Sequence, residues 1–438
     1  MGDELFDRAA AAIDMAVAAG ATGARASASR SRSIETQFRD GAIEKAQESI
    51  SRSIALRVWI GHRSSAHSTN DLRDAELRAF VAEAVAITKA LEEDPFQDLP
   101  DPTLYAGRSE LDLELTDATA MLLTSDDRES WSRTAWEAAR ADDRVISATT
   151  FVTQGEDRGV LVASNGLAGR WEGTGVWGGA EVTVRDDSDA RPEASFAGGG
   201  SHRIVLPDPS FAGSEALRKA KERLGAKKGP STRTTMVVDA RVAAQIVRRL
   251  LGPANAAAIS QNRSVFADKV GIKLFSEVLT LTDDPWVKRG DGSRSFDGEG
   301  LASKPMTVVQ RGVLKNLYVD TYYGKKTGLA PTSGGSSNLV AELGTRDRDA
   351  LVAAAGQGIL VTGWLGGNAN ATTGDFSLGV RGNLIENGAL GAPVGEMNCT
   401  GNLIDLFAHL VELGNDPWRY GSARMPTLVF EDVQFSGA

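Results

Sequence analysis

The sequence predicts an α+β protein, with an N-terminal α/β region of antiparallel hairpins flanked by helices and a β-rich C-terminal domain. Three observations lead there. Residues 4–19 carry Leu5, Phe6, Ala9, Ile13, Ala16 and Val17 at three- and four-residue spacing, the pattern of a helix with one buried face. Short alternating runs follow, and from about residue 230 most of the chain reads as strands and turns. The 47 glycines fit a strand-rich chain with many turns and close backbone approaches.

In SIETQFRDGAIEKAQ, Asp40-Gly41 sits between two alternating runs, and a two-residue hairpin turn of this type needs positive φ at both positions. In ISRSIALRVWIG, Ile54, Leu56, Val58 and Ile60 alternate onto one face, as in a strand lying on a core. A second helix is expected after Asp74 as N-cap, with Leu77, Phe80, Val81, Ala84, Ile87 and Leu91 as its buried stripe. The acidic, proline-broken EEDPFQDLPDP ends regular structure near residue 100. The middle region reads as a helix through SDDRESWSRTAWEAARA, strands RVISATTFVTQ and RGVLVASNGLAGRWEGT turning at Asn165-Gly166, and a helix SEALRKAKERLGAKKG. Beyond it come TTMVVDA, SEVLTLTDD, PMTVVQRGVLKNLYVD, QGILVTGWLGG, GDFSLGVRGNLIENGAL and PTLVFEDVQF as strands, interrupted by helices DARVAAQIVRRLLG and GNLIDLFAHLVELG. A chain of 438 residues exceeds one ordinary core. We expect three domains, residues 1–105, 106–228 and 229–438.

Composition excludes several functions. A single cysteine forms no internal disulfide and fits a reducing compartment. The acidic, amphipathic start lacks a basic segment leading into a cleavage site, so a mature cytoplasmic N-terminus is expected. The most apolar stretch, residues 351–367, is glycine-broken and shorter than the ~20 residues of a membrane span. A net charge of −10 opposes direct nucleic-acid binding.

Intrinsic catalysis finds little support in the chemistry-bearing residues. His409, in an expected helix over 401–413, falls off the stripe of Leu403, Leu406, Phe407 and Leu410 and reads as a surface histidine beside Asp405. Cys399 lies two residues before that helix, where a thiol can be activated, yet a lone cysteine is more often a small buried hydrophobe. His62 and His67 are five apart, which sends them to opposite faces of a strand, and His202 has no partner at ligand spacing. Asp297 and Glu299 in SFDGEG suit a cation or a glycine-rich turn about equally. Metal-binding H-E-x-x-H, paired C-x-x-C and phosphate-loop motifs are absent.

The C-terminal third, from NANATTGDFS through IENG, PVGEMNCTGNL and GNDPW, resembles the TldD/PmbA family, in which these segments follow in that order. SFDGEG, RGVLK and the helix ending KKTG are similar to its other hallmarks, as are the RDGAIEKAQES hairpin and HSTNDL. The resemblance covers almost the whole chain. It implies one of two related subunits. TldD-type chains carry an H-E-x-x-x-H helix and a late cysteine that bind zinc, whereas TldE chains, also called PmbA, lack that site and pair with TldD. The zinc helix would follow TTMVVDA, where this sequence has DARVAAQIVRRLLG, with Arg248 and Arg249 bringing positive charge and Val242, Ala243, Ile246 and Leu250 forming a packing face. The ligand cysteine would follow G-N-D, and none does.

The resemblance therefore implies a TldE/PmbA-like, non-metal subunit of a cytoplasmic metallopeptidase complex that degrades or processes unfolded peptides, including maturation of modified peptides. It expects no cofactor in this chain and zinc in a TldD-type partner. Peptides would be held as an added β-strand, and Asn370, Thr373, Asp375 and Ser377 in the glycine-rich stretch are the candidates for the channel lining. Two alternatives stay open: a homodimeric peptide- or regulator-binding protein, as the older family name "modulator of gyrase" suggests, and a metal-independent hydrolase using Ser, Cys399 or the Asp297/Glu299 pair.

Overall fold

A computed structural model describes residues 4–437. The architecture is α+β, and its first layer is one six-stranded antiparallel sheet. Helix α1 (Glu4–Ala18) leads into β1 (Gly23–Arg39), β2 (Ala42–Ile60) and β3 (Arg63–Thr69), followed by α2 (Asp74–Ala90). After an extended segment come α3 (Ser125–Ala139), β4 (Val145–Ala163), β5 (Ala168–Val184), β6 (Glu193–Gly200) and α4 (Pro209–Lys221). The strand order is β3-β2-β1-β4-β5-β6. β1 pairs with β2 on one side and β4 on the other along nearly its full length, so one sheet runs through both sections of the chain expected to lie on either side of residue 105. Asp40 and Gly41 both have positive φ at the β1–β2 turn, as the Asp-Gly pair predicts.

The two faces of this sheet differ in kind. Ala24, Ala26 and Ala28 of β1 point to the helical face, under α1 and α2, and Phe38 on the same face meets Trp136 of α3 edge to face, ring centroids 5.7 Å apart. Small alanines let the helices approach closely. The opposite face turns to the C-terminal part, where Leu161 and Leu167 pack with Phe296 and Leu99.

The C-terminal part begins with β7 (Lys227–Lys228), β8 (Thr232–Val238), α5 (Ala240–Leu251), α6 (Ala256–Ser260) and β9 (Leu281–Asp283). It continues through β10 (Met306–Gln310), β11 (Val313–Leu314), α7 (Thr321–Thr327), β12 (Leu339–Ala341) and α8 (Arg348–Ala355). The last elements are β13 (Gly358–Ala369), β14 (Asp375–Glu386), β15 (Ala389–Asn402), α9 (Leu403–Ala408), β16 (Leu410–Leu413), β17 (Ala423–Arg424) and β18 (Leu428–Ser436). β18 pairs with β8 on one side and β15 on the other, which closes β18-β8-β13-β14-β15 into a barrel. Its core includes Met236, Phe376, Leu378, Phe430 and Phe435, all buried. A smaller five-stranded sheet, β11-β10-β9-β12-β17, joins the same core through Leu281, Val308 and Leu339.

Several sequence expectations give way to tertiary context. The helix expected over 401–413 stops at Ala408, and Leu410–Leu413 becomes a strand because β18 offers it a hydrogen-bonding edge, Leu410 opposite Phe430. Asp74 is the first residue of α2 rather than its cap, and its carboxylate pairs with Arg8 of α1. Ile87 and Leu91 lie exposed, while Val85 and Thr88 turn inward, since α2 packs on a narrow stripe between α1 and β2/β3. On α1, Val17 lies exposed although the stripe expected it buried, and Ala12 is buried with Leu5, Ala9, Ile13 and Ala16. RVISATTFVTQ and RGVLVAS form one 19-residue strand, β4, which the glycines at 155 and 159 do not interrupt because β1 and β5 pair across them. The helix expected from Ser214 starts at Pro209, capped by Asp208, and ends at Lys221.

Phe435 is fully buried where β18 closes the barrel. Phe435→Ala should lower stability by ~3–5 kcal/mol, read as a lower guanidinium midpoint, whereas Val17→Ala on exposed α1 surface should stay within about 0.5 kcal/mol.

Candidate functional site

The helix that follows β8 is where the sequence reading places the family's zinc helix. Asp239 caps it, accepting the Arg241 N–H at 3.0 Å and Arg241 Nε at 2.7 Å on Oδ1. Arg241 Nη2 and Arg348 Nη1 donate to Oδ2 at 2.7 and 3.3 Å, and Arg241 also pairs with Glu215 of α4 at 3.2 Å. Burial opposes the charge on Asp239, yet the hydrogen bonds and charge of Arg241, with Arg348 beside them, hold its carboxyl below the usual range.

Val242, Ala243, Ile246, Val247 and Leu250 pack inward, and Gln245 and Arg248 point out. Arg248 donates to Ser422 Oγ at 3.3 Å and Arg249 to the Gln245 carbonyl at 3.2 Å. Zinc is bound by imidazole, thiolate or carboxylate. The outward face of α5 presents an amide and guanidinium groups, so its donor set does not fit zinc. Among the described residues, no three His, Cys, Asp or Glu side chains are grouped to hold a metal ion.

Cys399 is on β15, not at a helix start, and is fully buried with Sγ 3.9 Å from the Met236 sulfur. Burial pushes its thiol up to about 12. His409 caps the end of α9 and is exposed, with Nδ1 2.8 Å from the Asp405 backbone oxygen, so its partner is the Asp405 carbonyl and not the carboxylate. His62 lies in the turn before β3, 3.7 Å from Asp98. His67, on β3, meets Ser65 Oγ at 2.7 Å and the edge of Phe80. His202 contacts Ser201 at 3.0 Å.

Asp297 and Glu299 do not share a ligand position. Asp297 Oδ1 accepts the N–H groups of Glu299 and Leu301 at 2.9 and 3.0 Å, which shapes the turn. Glu299 reaches the start of α7, accepting Thr321 N–H at 2.8 Å and Thr321 Oγ1 at 2.7 Å. Burial pushes the Glu299 carboxyl upward and the guanidinium of nearby Arg25, on β1, downward.

Three of the four proposed lining residues come together at the β13–β14 turn. Asn370 Oδ1 accepts Thr372 N–H at 2.9 Å, and Thr373 Oγ1 donates to Asp375 Oδ2 at 2.7 Å. Asn402, from the end of β15, donates to the Thr373 carbonyl at 2.8 Å and to Asp375 Oδ1 at 3.1 Å. Asn402 was not among the sequence candidates, and its signal was only that of a helix N-cap. Ser377 is exposed two residues along β14. The close backbone approach expected of the glycines is made by β14 itself: at Gly367, φ +104°, a Cβ would stand 2.1 Å from the Ser377 carbonyl.

Two large clefts border the first sheet. One, of about 910 Å³, lies between β4, β5 and segments 109–116 and 290–298, and burial pushes its Asp157 and Asp291 carboxyls upward. The other, of about 780 Å³, lies between β6, α4 and the barrel, lined by Arg191, Lys219, Arg223 and Arg381 among others.

With this geometry, the chain can be set beside known proteins. Residues 24–88, 122–224 and 231–437 match, in turn, domain 1, the central domain and the C-terminal domain described for the PmbA/TldA metallopeptidases. A Bacteroides thetaiotaomicron structure described as a modulator of DNA gyrase is 37% identical over the full length of both chains, with a TM-score of 0.97. The chain belongs to the PmbA/TldD family. It is a peptidase-family member, 26% identical to the Metalloprotease PmbA homolog of Haemophilus influenzae, covering 99% of this chain and 96% of that one. TldE from Thermococcus kodakarensis shares the fold at 19% identity, with a TM-score of 0.87, covering 98% of this chain and 100% of that one. No helix among the described residues is long and apolar enough to cross a membrane.

Two measurements follow from this geometry. In native protein at pH 8 the Cys399 thiol should not react with an aromatic disulfide reagent, whereas one thiol should titrate in guanidinium; fast native labelling would refute the burial. Asp239→Asn should destabilise by ~1.5–3 kcal/mol, since it removes the buried charge to which both Arg241 and Arg348 donate and leaves them only Glu215 and Asp349. Because the folded pKa of Asp239 is depressed, its contribution is present above the unfolded value near ~3.9 and is lost as pH falls through the lower folded one. The gap between wild type and variant should therefore narrow below about pH 4.

Proposed function

We propose that this chain is a TldE/PmbA-like subunit without its own zinc site, which pairs with a TldD-type chain in a cytoplasmic peptidase complex that degrades or processes unfolded peptides. The observation that carries the reading is the helix after β8: it keeps the cap and packing face of a scaffold while its outward face offers Gln245, Arg248 and Arg249 in place of metal ligands. Zinc would then reside in the partner. The part left to this chain is to bind and orient peptide, for which exposed Asn370, Thr373, Asp375 and Ser377 beside the β14 backbone are the proposed contacts.

Co-expression tests the pairing. The chain alone should bind less than ~0.1 equivalent of zinc and show no peptidase activity, and a TldD-type chain with the H-E-x-x-x-H helix should co-purify with it and restore activity with about one zinc per pair. Stoichiometric zinc and activity in this chain alone would sink the proposal, and a stable homodimer that ignores the TldD-type chain would favour a stand-alone binding protein.

A further inference from the structure

The cleft between β6, α4 and the barrel is basic in a chain whose net charge is −10. Arg191, Lys219, Arg223, Lys227, Lys228 and Arg381 all border it. Of the acidic residues there, the Asp186 carboxylate accepts the Gly225 N–H at 3.2 Å and the Ser188 hydroxyl at 3.0 Å, and Glu222 pairs with Arg218. Glu396 is the remaining carboxylate on the lining.

Two guanidinium groups stand out. Arg381, on β14, lies across Gly363, where an added Cβ would come within 2.3 Å of its Nε. That Nε is buried without a hydrogen-bond partner among the described residues. Arg223, just past α4, is close enough to Arg381 for mutual repulsion, and after burial that repulsion contributes to lowering its pKa to about 10. An ion pair or hydrogen bond from the Arg223 side chain is likewise absent among the described residues. The Glu193 carboxylate of β6 favours the charge on both, but neither guanidinium has a hydrogen-bonded or ion-paired partner among the described residues, which leaves a place for a further anion between them.

The backbone bordering the cleft narrows the class of anion. β6 is an end strand of its sheet, and within the described residues its backbone pairs only with β5. Ser195, Phe196 and Ala197 all line the cleft, although successive strand residues point to opposite faces, so the cleft runs along the open edge of β6. One acceptor there is already taken, by Lys219 Nζ donating to the Ser195 carbonyl at 3.3 Å. An open strand edge beside paired guanidiniums suits an extended chain that carries carboxylates.

We propose that this cleft binds an acidic segment of an extended peptide, its backbone added to the edge of β6 and a carboxylate held between Arg223 and Arg381. The proposal rests on the peptide-handling reading above and assigns it a substrate class. Arg–carboxylate pairing supplies the preference for acidic chains, and edge pairing leaves the remaining side chains unspecified.

Fluorescence anisotropy on the full chain tests it, using a dye-labelled heptapeptide with three glutamates and an amidated C-terminus, its glutamine counterpart, and the glutamine peptide with a free C-terminal carboxylate. The glutamate peptide should bind at least ~tenfold tighter than the amidated glutamine peptide, and Arg223→Gln or Arg381→Gln should erase most of that preference. Tight binding of the glutamine peptide with a free C-terminus, lost in the same variants, would identify a terminal carboxylate as the source of the anion. Backbone N-methylation of the glutamate peptide should weaken binding, as strand addition requires. Equal affinity for glutamate and amidated glutamine peptides in the wild type, a comparison that needs no variant to fold, would overturn the proposal. So would an undiminished preference in both folded variants or indifference to N-methylation. Binding to the chain alone and rescue of activity by a TldD-type partner are separate readouts, so either reading can fail without the other.

Discussion

Closure of the C-terminal barrel by β18 is the constraint on which the rest of this half of the molecule depends. Without that strand, β8 and β15 would each present an open row of backbone donors and acceptors; with it, both are paired and Phe430 and Phe435 are carried into the core. β8 ends at the Asp239 cap, so its position fixes where α5 starts and which of its faces is buried. β15 ends at Asn402, paired with Asp375 on the neighbouring β14, and its amide ties the Thr373–Asp375 turn. The candidate site is therefore held by backbone pairing that begins tens of residues away.

The first sheet contributes a different property. Its helical face is built of alanines and a few large anchors, while its other face meets the C-terminal part through Phe296, Leu161 and the half-buried Arg25 and Glu299. Four helices and the C-terminal part cover much of its faces, while the first half of β2 stays exposed and the sheet keeps an open edge. β6 supplies that edge, and the barrel wall opposite supplies Arg381. A strand edge and a charge from two separate bodies meet in one cleft, an arrangement suited to an extended ligand and poorly suited to a compact one.

The parts of the fold legible in the sequence were those whose signals are local. α1, α3 and α5 carry their own periodicity, and the Asp40-Gly41 turn carries its own φ requirement. The 401–413 stretch misled because Leu403, Leu406, Phe407 and Leu410 satisfy a helical stripe equally well when the last of them sits on a strand, and only β18 selects between the two. Cys399 two residues before an expected helix suggested activation, whereas its place on β15 inside the core does the opposite. Asp239 was readable as part of a helix start. Its bond to Arg348, more than a hundred residues later, had no sequence signal at all.

By itself the sequence determined the class of fold, its β-rich C-terminal half, the family and the lack of metal-binding residue types along the helix after β8, because each of these resides in residue identity and short-range order. Tertiary structure alone decided which strands share edges, that Arg223 and Arg381 line one cleft, and that Asn402 ties Thr373 and Asp375 at the turn that also holds Asn370. The physical reason is that hydrogen-bond pairing and desolvation act between groups brought together by the closed chain. Neither depends on how far apart those groups lie along it.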